Sequence, residues 1–221
     1  PASYFSQWNA VIINIYSVRN NEEGLIGRVS GNGAYGERPK FGGTFNLSIR
    51  NKKLSAYANF SSNHSYNAEQ TSLLTDVNYL GEQVLSDMHA ERRPYMGLHS
   101  GEVGIDYDLT NRITIGLAFS GFNRDWKMSA RAVTDRESSL SGNSREITDS
   151  YEVNQLSRFV SNFHMQHRFS PSTQLFIDYD NIQFNRDNPT EYDVSFLENG
   201  VEVDQVEFLS SSATHLDIHV L

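Results

Sequence analysis

The sequence predicts an all-β chain, an antiparallel meander of hairpins forming part of a transmembrane β-barrel. Three observations predict it. Long stretches alternate strictly between apolar and polar residues, the period of a strand with one wet face. Short turns fall near residues 51, 110 and 171, and longer polar segments lie between them, over about 64–94 and 123–152. The composition is polar yet rich in rings: 38% hydrophobic residues, with 11 Tyr and 13 Phe among 221 residues. A wall with one lipid face and one wet face explains both properties together.

The first segment stands apart. Ala10, Val11, Ile12, Ile13, Asn14 and Ile15 form a short, nearly continuous apolar run, which reads as a strand buried on both faces. From Leu25 the pattern becomes alternation. Leu25, Gly27, Val29, Gly31, Gly33 and Tyr35 share one face, with Arg28, Ser30 and Asn32 on the other. A second strand, from about Phe41 to Arg50, sets Phe41, Phe45, Leu47 and Ile49 against Thr44, Asn46 and Ser48.

Asn51 and Lys52 are expected to make a two-residue turn. That turn sets the cross-strand pairs Ile49/Leu54, Leu47/Ala56 and Phe45/Ala58. In a second hairpin, a three-residue loop of Leu109, Thr110 and Asn111 places Tyr107 opposite Ile113, Ile105 opposite Ile115 and Asp108 opposite Arg112. A third is expected around Pro171, with Phe163, Met165, His167 and Phe169 before it and Leu175, Ile177 and Tyr179 after it. The Ser-rich stretch 138–144 reads as a loop or an extended hairpin tip. Short turns at one end and long loops at the other are the asymmetry of outer-membrane barrels. At the far end, Val194 and Phe196 alternate with Asp193 and Ser195, and Leu216, Ile218 and Val220 alternate with Asp217 and His219. A soluble antiparallel sheet, such as a β-sandwich, is the competing fold. Aromatic residues placed near expected strand ends (Tyr35, Phe41, Phe60, Tyr107, Phe119 and Phe169) favour the membrane, where they would form a girdle.

Charge and residue types exclude several functions. A formal charge of −9 disfavours nucleic-acid binding. The absence of cysteine removes disulfides, thiol nucleophiles and thiolate metal sites. No run of 18 apolar residues predicts a transmembrane helix, which does not bear on a barrel. Residues 1–8 show no basic segment or apolar stretch of a secretory signal.

Several motifs resemble the TonB-dependent outer-membrane receptors, in their Bacteroidetes-type outer-membrane β-barrel branch. Residues 9–15 are similar to the final strand of that family's plug domain. Further matches are Glu23-Gly24-Leu25, Gly31-Asn32-Gly33-Ala34-Tyr35-Gly36, Gly42-Gly43-Thr44-Phe45-Asn46-Leu47, the stretch from Lys53 to Ser61, and Gly104-Ile105-Asp106-Tyr107-Asp108-Leu109-Thr110. The resemblance covers about residues 8–63 well and fades beyond about 122. It implies that residues 1–18 are the last plug strand and its link. Residues 19–221 would then be the N-terminal portion of a barrel, about eight strands of it, at the bacterial outer membrane. The chain then reads as one section of a plugged barrel importing an unidentified nutrient. The alternative is a non-transporting structural or surface-binding barrel. Implied partners are outer-membrane lipid, the remainder of plug and barrel, the TonB system, and a surface substrate-binding lipoprotein.

Candidate sites are few. His164 and His167 should face opposite sides of a strand, while His215 and His219 share a face but stand roughly 13 Å apart, so neither pair predicts a metal site. Asp178 and Asp180, about 7 Å apart on one face, with Asp187 nearby, read as a wet wall rather than an acid/base pair. Glu202 and Asp204, in an expected loop, lack the dense oxygen set of a calcium loop. Gly31, Gly33 and Gly36 do not make a phosphate loop, because no helix follows them. The reading is of a non-enzyme without cofactor or metal, whose ligand-binding residues the sequence does not identify.

Overall fold

A computed structural model of the chain describes residues 23–221. The expected strand at residues 10–15, and with it the unit assigned to residues 1–18, lies outside the described residues. Eleven strands follow in order: β1 (Gly24–Tyr35), β2 (Pro39–Arg50), β3 (Leu54–Tyr66), β4 (Glu69–Tyr79), β5 (Glu82–Thr110), β6 (Ile113–Ser138), β7 (Gly142–Ser170), β8 (Thr173–Asp187), β9 (Thr190–Glu198), β10 (Val201–Ser210) and β11 (Ala213–Val220). All belong to one sheet, and the pairings are antiparallel. The chain is all-β, as expected.

Eleven segments form only eight physical strands. β3 and β4 pair with β5 in one register, Tyr66 opposite Tyr95 and Glu69 opposite Arg92, with no slip between them. The ladder breaks there because Pro94 has no N–H. Asn67 N–H donates to the Pro94 carbonyl at 2.9 Å, and proline cannot return the bond. β8 and β9 likewise continue one register along β7, broken where Val153 N–H donates to the Pro189 carbonyl at 3.0 Å. β10 and β11 continue one another in the same way alongside β9 and β8. The result is a next-neighbour antiparallel meander of eight strands. β1 and the β10–β11 strand form its two edges, each paired on one side only among the described residues.

The two prolines fall on almost one line across the sheet. Pro94, Met128, Glu152, Thr190 and Ser210 form one cross-strand row, and Pro189 is next in sequence to Thr190. The β1–β2 hairpin ends near this line, at the pair Tyr35 and Pro39. The line divides a lower sheet from an upper extension built from β4, β9, β10 and the far halves of β5, β6 and β7.

This extension corrects the expected loops. Residues 64–94 and 123–152 are not long loops. They are strand continuations, which give β5 and β7 29 residues each, well beyond a 9–11-residue membrane strand. Their hairpins close tightly. Leu80 and Gly81 (φ 51° and 85°), and Asn199 and Gly200 (52° and 81°), carry the paired left-handed conformations of type I′ turns. Glu202 and Asp204 accordingly lie in β10, beside a bulge, and not in a loop.

Two hairpin registers also differ from expectation, both by two residues. The first turn consists of Lys52 and Lys53. It is closed by reciprocal bonds between Asn51 and Leu54, so Ile49 faces Ala56 and Phe45 faces Phe60. Neither lysine has positive φ, and the Asn51 side chain accepts from the Lys52 N–H at 2.6 Å. In the second, a bulge between Asp108 and Thr110 sets Tyr107 opposite Ile115 and Thr114, not Arg112, opposite Asp108. A two-residue shift leaves every side chain on its face. The third hairpin turns at Pro171 as expected, and its register sets Ser170 opposite Thr173 and Met165 opposite Ile177.

The short turns descend across the sheet. Ser55, Asp106, Gly116, His164 and Asp178 stand in one cross-strand row. The three turns lie about two, five and seven residues below that row, a drop of roughly 2.5 residues per hairpin. At about 3.3 Å per residue over two strand spacings of about 4.8 Å, the line of turns is inclined by ~40° to the cross-strand rows. Barrel closure requires a tilt of that size.

Candidate functional site

Each face of the lower sheet has its own chemistry. Face A carries the alternating apolar set: Leu47, Ile49, Ala58, Phe60, Val103, Ile105, Leu117, Phe119, Phe163 and Ile177. No second layer packs on it among the described residues. Among all the described residues the buried hydrophobics are Ala90 (5% exposed) and Val194 (8%), both outside this band, whereas on face A Phe60 is 52% exposed and Val103 49%. The sheet therefore has no sandwich core.

Face B is polar, and glycines shape it. Gly104 leaves room for the Tyr57 ring, which packs against it from the neighbouring strand, and the Tyr57 hydroxyl donates to Glu102 at 2.9 Å. Gly116 allows two side chains from strands on either side of it to meet. His164 Nε2 and Asp106 Oδ1 lie 3.0 Å apart over the missing side chain, and a Cβ at Gly116 would strike both. His164 Nδ1 also contacts Asn162 at 3.2 Å, and Asn162 donates to Asp180 at 2.8 Å. Above this chain of contacts is a shallow depression of about 430 Å³, walled by Thr44, Asn46, Asn59, Ser61, Glu102 and Arg158. The Arg158 guanidinium sits 5.4 Å over the Phe122 ring.

Above the proline line the faces exchange character. Face B now carries a row of small and branched residues, Thr71, Ala90, Ala132, Thr148, Val194 and Val206. Face A carries charge. Two of its rows, Glu91-Arg131-Asp149-Asp193-Glu207 and Arg93-Ser129-Tyr151-Glu191-Leu209, wall an open transverse groove of about 880 Å³. Arg131 pairs with Asp149 at 3.2 Å, Arg145 with Asp135 at 2.7 Å, and on face B Arg136 pairs with Glu146 at 2.9 Å. Residues 69–94, 128–152 and 190–210 hold 16 of the 27 carboxylates but only five of the 18 Lys and Arg, a net charge of −11; the rest of the chain is +2.

At the tip, Glu82 accepts hydroxyls from Ser138 and Ser141, and they hold its carboxyl below the usual range. The guanidinium of Arg145, hydrogen-bonded to Asp135, lowers the Asp135 carboxyl in the same way, and Asp135 raises Arg145.

Just below the line, face A carries a belt of rings. His64 stacks on Phe41 at 4.9 Å and contacts the Tyr95 hydroxyl at 2.9 Å; His99 contacts Ser62 at 3.0 Å; Arg38 lies 5.7 Å over Tyr66.

The residues singled out in the sequence are dispersed. Asp178 and Asp180 share face B, but Asp187 projects from face A. His164 and His167 face opposite sides, as expected, and His167 stacks with Phe169 at 4.1 Å. His215 contacts Asn185, while His219 contacts Tyr179 at 2.8 Å, so the two do not meet. Among the described residues no group of three His, Asp or Glu could hold a metal ion. Sequence reasoning missed the charged groove, whose members come from five strands. It also missed the Asn199-Gly200 turn, although that dipeptide is a strong hairpin signal.

No family model matches the chain, and no curated protein matches it. Among solved structures, it is similar to Acinetobacter baumannii CarO at 12% identity, over 87% of this chain and 79% of that one, with a TM-score of 0.18. It is also similar to Pseudomonas aeruginosa OccK3 (8%, 87% and 94%, 0.13) and OccK8 (8%, 88% and 97%, 0.11). Scores this low establish no shared topology.

Proposed function

We propose that the chain is a section of the wall of a bacterial outer-membrane β-barrel of the TonB-dependent receptor type, taking part in import of a nutrient. Face A meets lipid and face B lines a wet interior. The carrying observation is the exposed apolar band on face A of a single-layer sheet whose line of turns is inclined by about 40°. In water, such a face would cost about 25 cal/mol for every Å² of hydrocarbon left wet; in lipid that cost vanishes. The extension, with its ion pairs and net charge of −11, stands in water on the outer side. The two sheet edges take strands from the rest of the barrel, because unpaired edges are costly in a bilayer. The likeness of residues 8–63 to the plug–barrel junction supports the receptor assignment. Its partners would be lipid, the remaining plug and barrel, the TonB system and a surface lipoprotein. No catalytic role is proposed.

The wide charged groove favours a second reading, a barrel that binds a surface partner without transport. Two observations test these readings. Fractionation of cells making the full-length protein should recover it in the outer membrane; recovery in the soluble periplasm overturns the barrel. The parent reading frame should encode a plug and TonB box upstream and more strands downstream. A signal peptide leading directly into this segment, with a stop after Leu221, overturns transport and leaves the second reading.

A further inference from the structure

Resting on the reading that the extension stands in water above the bilayer, we infer that β4 is a strand-addition edge. Its occupant is an extended segment of a separate chain, alternating apolar and basic residues, that pairs with β4 as one further strand. Among the described residues β4 pairs with β5 and with no other strand. The β1–β2 hairpin ends below it, at Tyr35 and Pro39, so the outer side of β4 borders a notch two strands wide. Strands that complete the wall beyond β1 are held away from β4 by β1 and β2 themselves, at about 5 Å per strand.

The ladder shows which backbone groups are open. Asn67 N–H donates to the Pro94 carbonyl, and the same register continues up β4 with Glu69 opposite Arg92. Odd-numbered residues of β4 therefore exchange their backbone bonds with β5, and even-numbered ones turn theirs outward. The N–H and C=O groups of Gln70, Ser72, Leu74, Asp76 and Asn78 form one open row. β4 contains no lysine, proline or bulge, the devices that blunt an edge.

Side chains select the occupant. Leu73 and Val77 on face B, and Leu74 on face A, are about half exposed or more, so an added strand meets hydrocarbon on both sides of its backbone. Charge on face A is negative: Asp76, Asp87 and Glu91 lie on β4 and β5, and Glu137 shares the row of Asp76. The cations nearby are engaged, Arg131 with Asp149 and Arg145 with Asp135, while His89 lies 3.4 Å from Asp87 and contacts Ser72 at 2.9 Å. Arg92 is on face B opposite Glu69, Arg93 lies at the foot of the edge, and the turn below holds Glu37 beside Arg38. A lysine or arginine opposite Asp76 is favoured there, and an acidic segment is repelled. A second β4 would bring its own carboxylates, which disfavours self-pairing.

The test uses full-length protein. Recovery in the membrane fraction comes first, so a soluble protein overturns the barrel reading before any peptide is added. A blocked fluorescent peptide of about nine residues, alternating valine and lysine, is then titrated by anisotropy, with amide exchange read at single residues. It should bind and slow exchange at Ser72, Leu74 and Asp76 while amides of β1 and β10 keep their rates. The same peptide with glutamate for lysine should bind at least about tenfold more weakly. Leu74→Pro removes one outward N–H and leaves the β5 ladder intact, and it should weaken binding about tenfold. Asp76→Lys should erase the preference for lysine. Slow exchange of the outward amides before peptide is added, which would mean that the chain fills its own edge, overturns the site. Unchanged exchange with peptide, equal binding of both peptides to wild type, or pairing of two copies through β4 would do the same.

Discussion

Val103 and Phe119 project from the same face as Arg131 and Asp149, yet one pair is hydrocarbon and the other an ion-pair network. The two regions share strands, register and sheet. They differ in which face is apolar, and the exchange falls at the line of Pro94 and Pro189. Below it, the apolar face is the exposed one, and the opposite face is organised by glycine gaps and hydrogen bonds. Above it, the exposed face is charged and the small residues Ala90 and Val194 lie buried on the other side. On the proposed reading, a continuous strand passes from lipid into water without a bulge to mark the crossing. The change is written only in side chains. The proline line coincides with the exchange and weakens the ladder there without shifting it.

This contrast can be broken at several points. The largest effect is expected from Ile105→Arg, which on the proposed reading puts a charge on face A at membrane depth. It should cost about 2–4 kcal/mol in denaturant titrations of protein folded in vesicles, while Ser129→Arg, on the same face above the line, should cost less than about 0.5. Equal costs would mean that the two regions meet one solvent.

A smaller effect is expected at Gly116→Val, where the new side chain would separate His164 from Asp106. Loss of that contact and displacement of the ring should cost about 1–2 kcal/mol, and the His164 resonances should move in an NMR spectrum of the selectively labelled protein.

Next is the Asp135–Arg145 pair. The Asp135 carboxyl is lowered in the folded chain, so its contribution is present above the ordinary Asp value and is lost as pH falls through the folded value. Both groups are about half exposed, so screening by water and salt keeps the contribution small. Asp135→Asn should flatten that acid limb in proteolysis of the extension and leave the lower sheet unchanged. Raised salt should mimic it.

The smallest expected change is favourable. Leu80 holds φ 51° and is 88% exposed, so Leu80→Asn should stabilise the β4–β5 hairpin by a few tenths to about 1 kcal/mol, read as slower amide exchange at the tip.

The sequence made the faces of the lower sheet readable, because alternation there is strong. Leu47, Phe60, Ile105 and Phe119 all lie where their periodicity put them. The two-residue shifts at the first two hairpins were not readable: Ile49 opposite Leu54 and Ile49 opposite Ala56 keep the same residues on the same face, and only the turn hydrogen bonds separate them. The extension was hidden for a different reason. Its strands alternate charged residues with Ala, Thr and Ser, so the contrast between faces falls to the level of a polar loop. The His164–Asp106 contact was out of reach because it spans an intervening strand. The prolines and Asn199-Gly200, in contrast, were plain in the sequence, as marks of ladder breaks and of a tight hairpin tip.

The unbroken register through β5, β6 and β7 has a consequence for how such a chain can change length. Like a reading frame, each long strand keeps its two faces in phase only while residues are gained or lost in pairs. A single insertion between Asn123 and Ser129 would turn every side chain above it, bringing Arg131 inward and Ala132 outward. A hairpin that grows in even steps on both arms could move its tip further from the proline line without disturbing anything below.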